Sequence, residues 1–310
     1  MRWLRRITRG TSLHVEFMRL VNKSPLAGLV RTIVDVCHHR LRKQRTCVIH
    51  RIEMPQEKDM LNHLRRHGWT SVPQNIGLDS RERIRDQCLD LRRAYQDLNA
   101  REKNRHKTIW NYLSDIKYAG KKPDQNDVLV QYALSQPILN VVGAYLGEIP
   151  WLRYILLTES IYQPGDIAFS QKWHLDFDDA RMLKLFIYLS DVSSPADGPF
   201  RMIGREAATR VRNSFIRRHL DDREVLSSVS QEEVVEVYGP CLTSFIVDTS
   251  CVYHCGSRMG DGHSRLLYTA LFTAFPSIYP RQTTDTFSVA PGAPDILHRV
   301  LTPVAYAAGR

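Results

Sequence analysis

The sequence predicts an α+β protein in which a helical N-terminal half packs against a β-sandwich or barrel. Three observations carry this expectation. Apolar residues recur at helical intervals up to about residue 147, short runs rich in Ile, Leu, Val, Phe, Tyr and Thr take over from residue 151, and Pro- and Gly-containing turns separate those runs.

The helical half reads in order. Residues 11–42 show helical spacing, with Leu26, Leu29, Val30, Ile33 and Val34 on one stripe and Ser24-Pro25 as a cap followed by a first-turn proline. Residues 56–67 predict a short amphipathic helix with Met60, Leu61 and Leu64 apolar, ended by Gly68. Trp69–Val72 then predicts a strand stopped by Pro73. A longer helix is expected over about 80–103, where Asp79 and Glu82 have capping-box spacing and Ile84, Cys88, Leu91, Tyr95 and Leu98 recur. Another helix covers 127–134, and Pro137 opens one that runs through Val141, Val142 and Tyr145 to Gly147.

In the β half, strands are expected at Leu152–Tyr162, Met182–Leu189, Glu233–Val237, Leu242–Val247 and Leu266–Phe275. Turns fall at Pro164-Gly165, Asp197-Gly198-Pro199, Gly239-Pro240 and Gly260-Asp261-Gly262. Residues 205–224 read as a polar helical insertion between strands.

Composition narrows the class. The chain has 310 residues, 43% hydrophobic and 25% charged, which is ordinary globular composition and enough to bury a core without staples. No apolar run approaches the ~18 residues that cross a bilayer. The six cysteines are irregularly spaced and do not form a disulfide framework. The leading MRWLRRITRG is basic but lacks the apolar run and small-residue site of a secretory signal, so a cytoplasmic protein is expected.

The net charge of +10 is unevenly placed. Residues 1–70 hold 15 Lys+Arg against 5 Asp+Glu, a balance of +10, whereas residues 71–310 hold 28 of each. Residues 1–45 therefore read as a basic, partly helical arm, most simply a solvated one that packs on the main domain. Its arginines interleave with Trp3, Leu4, Ile7, Phe17, Met18 and Leu20, so weak contact with an anionic membrane surface is a second reading and nucleic acid a third. The neutral balance of the remaining chain argues against nucleic acid as the main partner.

The informative stretch is Trp173-His174-Leu175-Asp176. In a strand, residues i and i+2 face the same side, so His174 and Asp176 can present an imidazole and a carboxylate to one point. His254 lies 78 residues after Asp176, just before a turn-rich loop. Two histidines and one carboxylate on one face leave three octahedral positions open, the facial arrangement of non-haem Fe(II) oxygenases. 2-Oxoglutarate takes two of those positions through its keto acid and leaves one for dioxygen. Its far carboxylate then needs a cation, and Arg265 stands 11 residues after His254.

Residues of roughly 55–275 resemble the phytanoyl-CoA dioxygenase-like family of Fe(II)/2-oxoglutarate-dependent oxygenases. The resemblance is carried by WHLDFDDARMLKLFIYLSDV at 173–192, DGPFRMIG at 197–204 and YHCGSRMGDGHSRLLYTALF at 253–272. The family's HxD pair falls on His174 and Asp176, its distal histidine on His254 and its 2-oxoglutarate arginine on Arg265. The resemblance implies a double-stranded β-helix (jelly-roll, cupin-like) with helices from the N-terminal half on one sheet, making 46–310 a single oxygenase-like domain. It also implies metal ligands His174, Asp176 and His254, a cosubstrate anchor at Arg265, Fe(II), 2-oxoglutarate and O2 as cofactors, and a small-molecule or lipid-like substrate. Succinate and CO2 would be released. Because residue 176 is a carboxylate and leaves no site for a halide, hydroxylation or another oxidation is expected over halogenation. Ile203-Gly204-Arg205-Glu206 and Cys255 depart from the family's pattern at positions that supply no metal ligand.

Plainer roles stand beside these. His174 and His254 could be satisfied core histidines, and Arg265 a structural ion-pair partner. Asp178 and Asp179 could add ligands but read more simply as lining a solvated mouth, Lys184 and Tyr188 could touch 2-oxoglutarate or substrate or else support and pack, and Trp173 reads as packing. His263 has no place among the iron ligands. Cys251, His254 and Cys255, with Cys37 or His38, outline a less regular zinc alternative, while Cys241, Cys251 and Cys255 read more simply as free thiols. A catalytically silent jelly-roll binding module and a peripheral membrane adaptor are the competing functions.

Overall fold

Ten strands, all paired antiparallel, form two sheets in the computed structural model, which describes residues 26–46, 52, 54–98, 108–117, 123–212, 219–277 and 287–303. The helical elements are α1 (Leu26–Cys37), α2 (His39–Thr46), α3 (Pro55–His67), α4 (Leu78–Asp97), α5 (Val128–Ala133), α6 (Gln136–Leu146), α7 (Arg205–Arg210), α8 (Asp222–Leu226) and α9 (Asp295–Leu301). The strands are β1 (Trp69–Val72), β2 (Thr108–Trp110), β3 (Leu113–Asp115), β4 (Trp151–Ile161), β5 (Met182–Tyr188), β6 (Phe200–Ile203), β7 (Val234–Val237), β8 (Ser244–Val247), β9 (His254–Cys255) and β10 (Ser264–Thr273).

The large sheet has the order β1-β8-β5-β10-β4-β3-β2 and the small one β7-β6-β9. β10 lies between β4 and β5, and every residue from Arg265 to Thr273 is buried. Strand alternation divides the large sheet. Ile155, Leu157, Leu185, Ile187, Tyr268 and Ala270 face the helical layer and pack with Leu64, Ile84, Leu129 and Val142. Phe186, Tyr188, Phe245 and Leu267 face the other way and meet Phe200 and Met202 of the small sheet. The functional side chains stand between the two sheets.

Most helix boundaries follow local chemistry. Gly68 and Gly147 end α3 and α6 in left-handed conformation. Asp127 caps α5 by accepting from the Leu129 backbone N–H at 3.0 Å.

Four expectations are corrected. The capping box at Asp79 is absent, because the chain enters α4 through Gly77 at φ 65° and Asp79 falls inside the first turn. The apolar stripe of α1 is only partly covered, with Val30 and Val34 half-buried. Leu26, Leu29 and Ile33 are exposed, and the buried residue is Arg31, whose guanidinium pairs with Asp35 and reaches Asp179 at 3.6 Å. Around Trp173–Asp176 there is no full strand, only an extended segment held by isolated bridges. Finally, the sequence reading omitted the short strands β2, β3, β6 and β9, whose two to four residues give little or no alternation to read. Residues 1–25 of the basic arm lie outside the described residues. Its last turns are tied to the body, since Arg45 donates to the Ile149 carbonyl at 2.6 Å and Arg42 stands 3.7 Å from the buried Glu148.

Candidate metal centre

Backbone pairing brings the three predicted ligands together. The His174 N–H donates to the His254 carbonyl and the His254 N–H donates to the His174 carbonyl, both at 3.0 Å. The Asp176 N–H donates to the Thr249 carbonyl at 2.8 Å. The segment therefore behaves as a strand at these residues, and His174 and Asp176 share a side as the i, i+2 argument requires.

The side chains converge. One ligand atom from each of His174, Asp176 and His254 lies within 4.8 Å of the others. His174 Nε2 is 3.8 Å from Asp176 Oδ1, and His254 Nε2 is 3.5 Å from Asp176 Oδ2. Each Nδ1 lies 2.9 Å from a backbone carbonyl, of Lys172 for His174 and of Val252 for His254. A carbonyl can only accept, so each imidazole carries its proton on Nδ1 and turns the Nε2 lone pair toward Asp176. Phe200 stacks on the His254 ring with centroids 5.3 Å apart and restrains its rotation.

The electrostatics suit a cation. Burial, and next the neighbouring His254, push His174 down to about 3. Burial also lowers His254, so both rings are neutral donors at pH 7. Burial alone would raise Asp176, but the Lys184 ammonium and then the two imidazoles outweigh it and hold the carboxyl well below the usual range. Lys184 Nζ stands 2.6 Å from Asp176 Oδ2 and 3.8 Å from Asp178 Oδ2. Lys184 loses stability as a cation through burial, yet Asp176, Tyr154 and Asp178 together raise it above its ordinary value.

Arg265 occupies another part of the same cavity. It is 2% exposed. Its Nη1 donates to the Gly198 carbonyl and its Nη2 to Ser257 Oγ at 3.0 Å, while its buried Nε has no partner. Gly198 has φ 61°, and a Cβ there would meet Met259 Sδ at 2.5 Å, so glycine is required to turn this carbonyl toward the guanidinium. No carboxylate pairs with Arg265 among the described residues. A buried cation without a counter-charge is costly, and the shared cavity of about 350 Å³ offers the place for an anionic group.

Other predicted residues sort clearly. Trp173 is fully buried with Ile203, Leu220 and Cys255, and its Nε1 donates to Asp222 at 2.8 Å, so it is a packing residue. Tyr188 donates to the Val237 carbonyl and accepts from the Phe200 N–H, both at 2.9 Å, and lies under the Arg265 guanidinium. Asp178 lines the cavity, but Asp179 does not line its mouth. Asp179 is buried toward α1 and Arg31, because successive residues of the extended segment face opposite sides. His263 bonds Asp197 at 2.8 Å, outside the ligand group. The zinc alternative is also overturned. Among the described residues no cysteine joins a metal-holding group, and Cys255, the neighbour of His254, turns into the apolar cluster around Trp173. Cys241, Cys251 and Cys255 are free. Sequence reading missed Ser257 and Gly198 as partners of Arg265, and the only signal was the Gly-Pro turn.

The fold and this centre define a class: an antiparallel two-sheet protein with a helical layer and a His-Asp-His group between the sheets. Among solved structures, EctD from S. alaskensis with bound Fe is similar in fold, with a TM-score of 0.53 at 15% identity over 78% of this chain and 90% of that one. The structure of EctD with 2-oxoglutarate and 5-hydroxyectoine gives 0.52 at 15% identity over 79% and 92%. HygX from Streptomyces hygroscopicus, with nickel and 2-oxoglutarate bound, is a weaker likeness at 0.44 and 16% identity over 71% and 87%. No family model matches the chain, and no curated protein matches it.

Proposed function

We propose that this chain is a non-haem Fe(II)- and 2-oxoglutarate-dependent dioxygenase of the phytanoyl-CoA dioxygenase-like kind, built on a double-stranded β-helix in residues 46–310. It oxidises a small-molecule or lipid-like substrate. The single observation that carries the reading is one cavity lined both by His174, Asp176 and His254 and by a buried guanidinium with no counter-charge. The donor set fits the group. Two neutral imidazoles and one carboxylate match a divalent first-row metal and leave further coordination positions open, and Arg265 matches a carboxylate.

In this reading His174 Nε2, His254 Nε2 and the Asp176 carboxylate hold the metal, and Arg265 receives the far carboxylate of 2-oxoglutarate. When bound, iron, 2-oxoglutarate and dioxygen supply the oxidising power for hydroxylation, with succinate and CO2 as co-products. The chain supplies position. The Lys172 and Val252 carbonyls fix the imidazole tautomers, Lys184 keeps Asp176 ionised and oriented, and Phe186 and Phe200 keep water from the interior. Asp176 favours hydroxylation over halogenation.

The test is Fe(II)-dependent release of succinate from 2-oxoglutarate by purified protein. Release that is lost in His174→Ala supports the reading, and a folded protein with no release under any substrate-free or substrate-loaded condition favours a silent binding module. A cytoplasmic location agrees with the five cysteines among the described residues all being free thiols.

A second property rests on a separate observation. The exposed stripe Leu26, Leu29, Ile33 and Val36 continues a basic leading segment, which fits weak contact of residues 1–45 with an anionic membrane surface. Salt-sensitive co-sedimentation of the full chain with phosphatidylserine vesicles tests it, and equal recovery with neutral vesicles counts against it.

A further inference from the structure

The β2–β3 hairpin and the turn before His174 build an aromatic wall beside the cavity. Trp110 lines the cavity, and the exposed Phe169 ring lies 6° from parallel to it with centroids 5.4 Å apart. The Tyr112 ring also stacks with Trp110, with centroids 5.7 Å apart. Through His219 the wall reaches the metal centre, since that ring is 6.4 Å from Phe169 and 5.8 Å from the ring of His174.

Phe169 is held there against its backbone preference. Its φ is 49°, in the left-handed region that disfavours a bulky side chain, and the residue is 48% exposed. The turn around it is tied at several points. Tyr112 Oη donates to the Ala168 carbonyl at 3.0 Å and accepts from the Ser170 N–H at 3.1 Å. The Gly256 N–H donates to the Ser170 carbonyl at 3.1 Å, and Gln171 Nε2 donates to the Ser257 carbonyl at 2.9 Å. An over-determined, strained turn that presents an apolar ring to solvent gains nothing for the core. Strain of this kind gathers at ligand clamps.

The charge in the cavity is already balanced. Its acidic and basic lining other than the histidines is Asp176 and Asp178 against Lys184 and Arg265, two side chains of each formal sign. A divalent metal and a doubly charged 2-oxoglutarate cancel one another. No charge remains for the substrate to neutralise, and the remaining wall is mostly apolar, with Ile109, Leu113 and Leu156 beside Trp110.

We propose, resting on the oxygenase reading above, that Trp110 and Phe169 form the substrate-recognition platform, and that the substrate is an uncharged molecule carrying a flat aromatic ring system. The ring packs against the open part of this wall, the cavity-lining edge of Trp110 and the exposed ring of Phe169, with its own edge directed toward His174.

The experiment uses the full-length protein with Mn(II) and 2-oxoglutarate, without turnover, and isothermal titration with three bicyclic probes. 2-Naphthol is expected to bind, with 2-naphthoate and the saturated 2-decalol each weaker by about tenfold or more. Trp110→Ala and Phe169→Gly are each expected to weaken 2-naphthol by about tenfold while 2-oxoglutarate affinity stays within about twofold. Phe169→Gly removes the backbone strain, so its Tm is expected to hold or rise as binding falls. A Phe169→Gly protein with a lower Tm and unchanged 2-naphthol binding would mark the residue as structural and overturn the proposal. Equal binding of all three probes, no binding of 2-naphthol, or preference for 2-naphthoate or 2-decalol overturns it as well. If 2-oxoglutarate binds the native protein and the variants leave 2-naphthol unaffected, the wall fails alone. If the native protein binds no 2-oxoglutarate, the oxygenase reading fails first and takes the wall with it.

Discussion

Arg265→Ala separates cosubstrate binding from folding more cleanly than any change at the metal ligands. The guanidinium is fully buried, it spends two donors on Gly198 and Ser257, and its third nitrogen has no protein partner. Removing it takes away the cation that faces the far carboxylate of 2-oxoglutarate. Truncating one member of a buried, hydrogen-bonded charge pair costs ~2–5 kcal/mol, so the affinity for 2-oxoglutarate should fall by about 30-fold or more. The effect on stability is smaller. The Gly198 carbonyl and Ser257 hydroxyl each lose a donor, worth ~1–3 kcal/mol for a group left unsatisfied. Ser257 keeps Ser160 Oγ at 2.9 Å, and the desolvation cost of an unpaired buried cation disappears with the side chain. Arg265→Lys keeps the charge but not the two-pronged geometry and should fall between native and alanine. Calorimetric titration of 2-oxoglutarate into the Mn(II)-loaded proteins measures this, with circular dichroism as the folding control. A folded Arg265→Ala protein that binds 2-oxoglutarate within twofold of native would refute the anchor.

Three further outcomes are expected. His174→Ala and His254→Ala should each lose stoichiometric Fe(II) on anaerobic gel filtration while keeping the native circular dichroism spectrum, and retention of one equivalent in either variant would remove that residue from the ligand set. Lys184→Met takes away the ammonium 2.6 Å from Asp176, so the metal-free protein should melt lower, with a larger rise in Tm on adding Mn(II) because nothing competes for the carboxylate; a metal-induced rise equal to that of native would contradict this. The metal-free protein should also lose stability as pH falls. The unfolded chain takes up protons at the ordinary imidazole value of 6.5, whereas burial holds His174 at about 3 and also lowers His254. The stabilisation present above 6.5 is therefore lost between 6.5 and about 3, at up to ~1.4 kcal/mol per pH unit for each imidazole. Urea midpoints that are flat from pH 7 to 5 would exclude neutral buried imidazoles.

What the sequence made legible depended on how far each signal reaches. His174 and Asp176 share a side through local geometry alone, and β10 shows itself as a continuous apolar run because both its faces are covered. Arg265 follows His254 by a spacing that a loop and one strand turn fix. The partners that tune the site are non-local and could not be read in this way. Lys184 reaches Asp176 only because β5 runs beside the extended segment, and its place in an otherwise apolar strand is the one mark it leaves. Trp110 and Phe169 are 59 positions apart in sequence (169 − 110) and meet across a hairpin and a turn. The outward stripe of α1 shows the limit of periodicity: spacing identifies the apolar face of a helix but not whether that face meets the core. Arg31 and Asp35, on the other side, decide the orientation through ion pairs with distant residues, Asp179 and Arg181.

The most direct measurement of the central claim is the visible absorption spectrum of the anaerobic protein with Fe(II) and 2-oxoglutarate. A weak charge-transfer band that requires both additions, and that His174→Ala and Arg265→Ala abolish or shift, is the expected result. A well-folded native protein that shows no band at saturating iron and 2-oxoglutarate would contradict chelation at this centre.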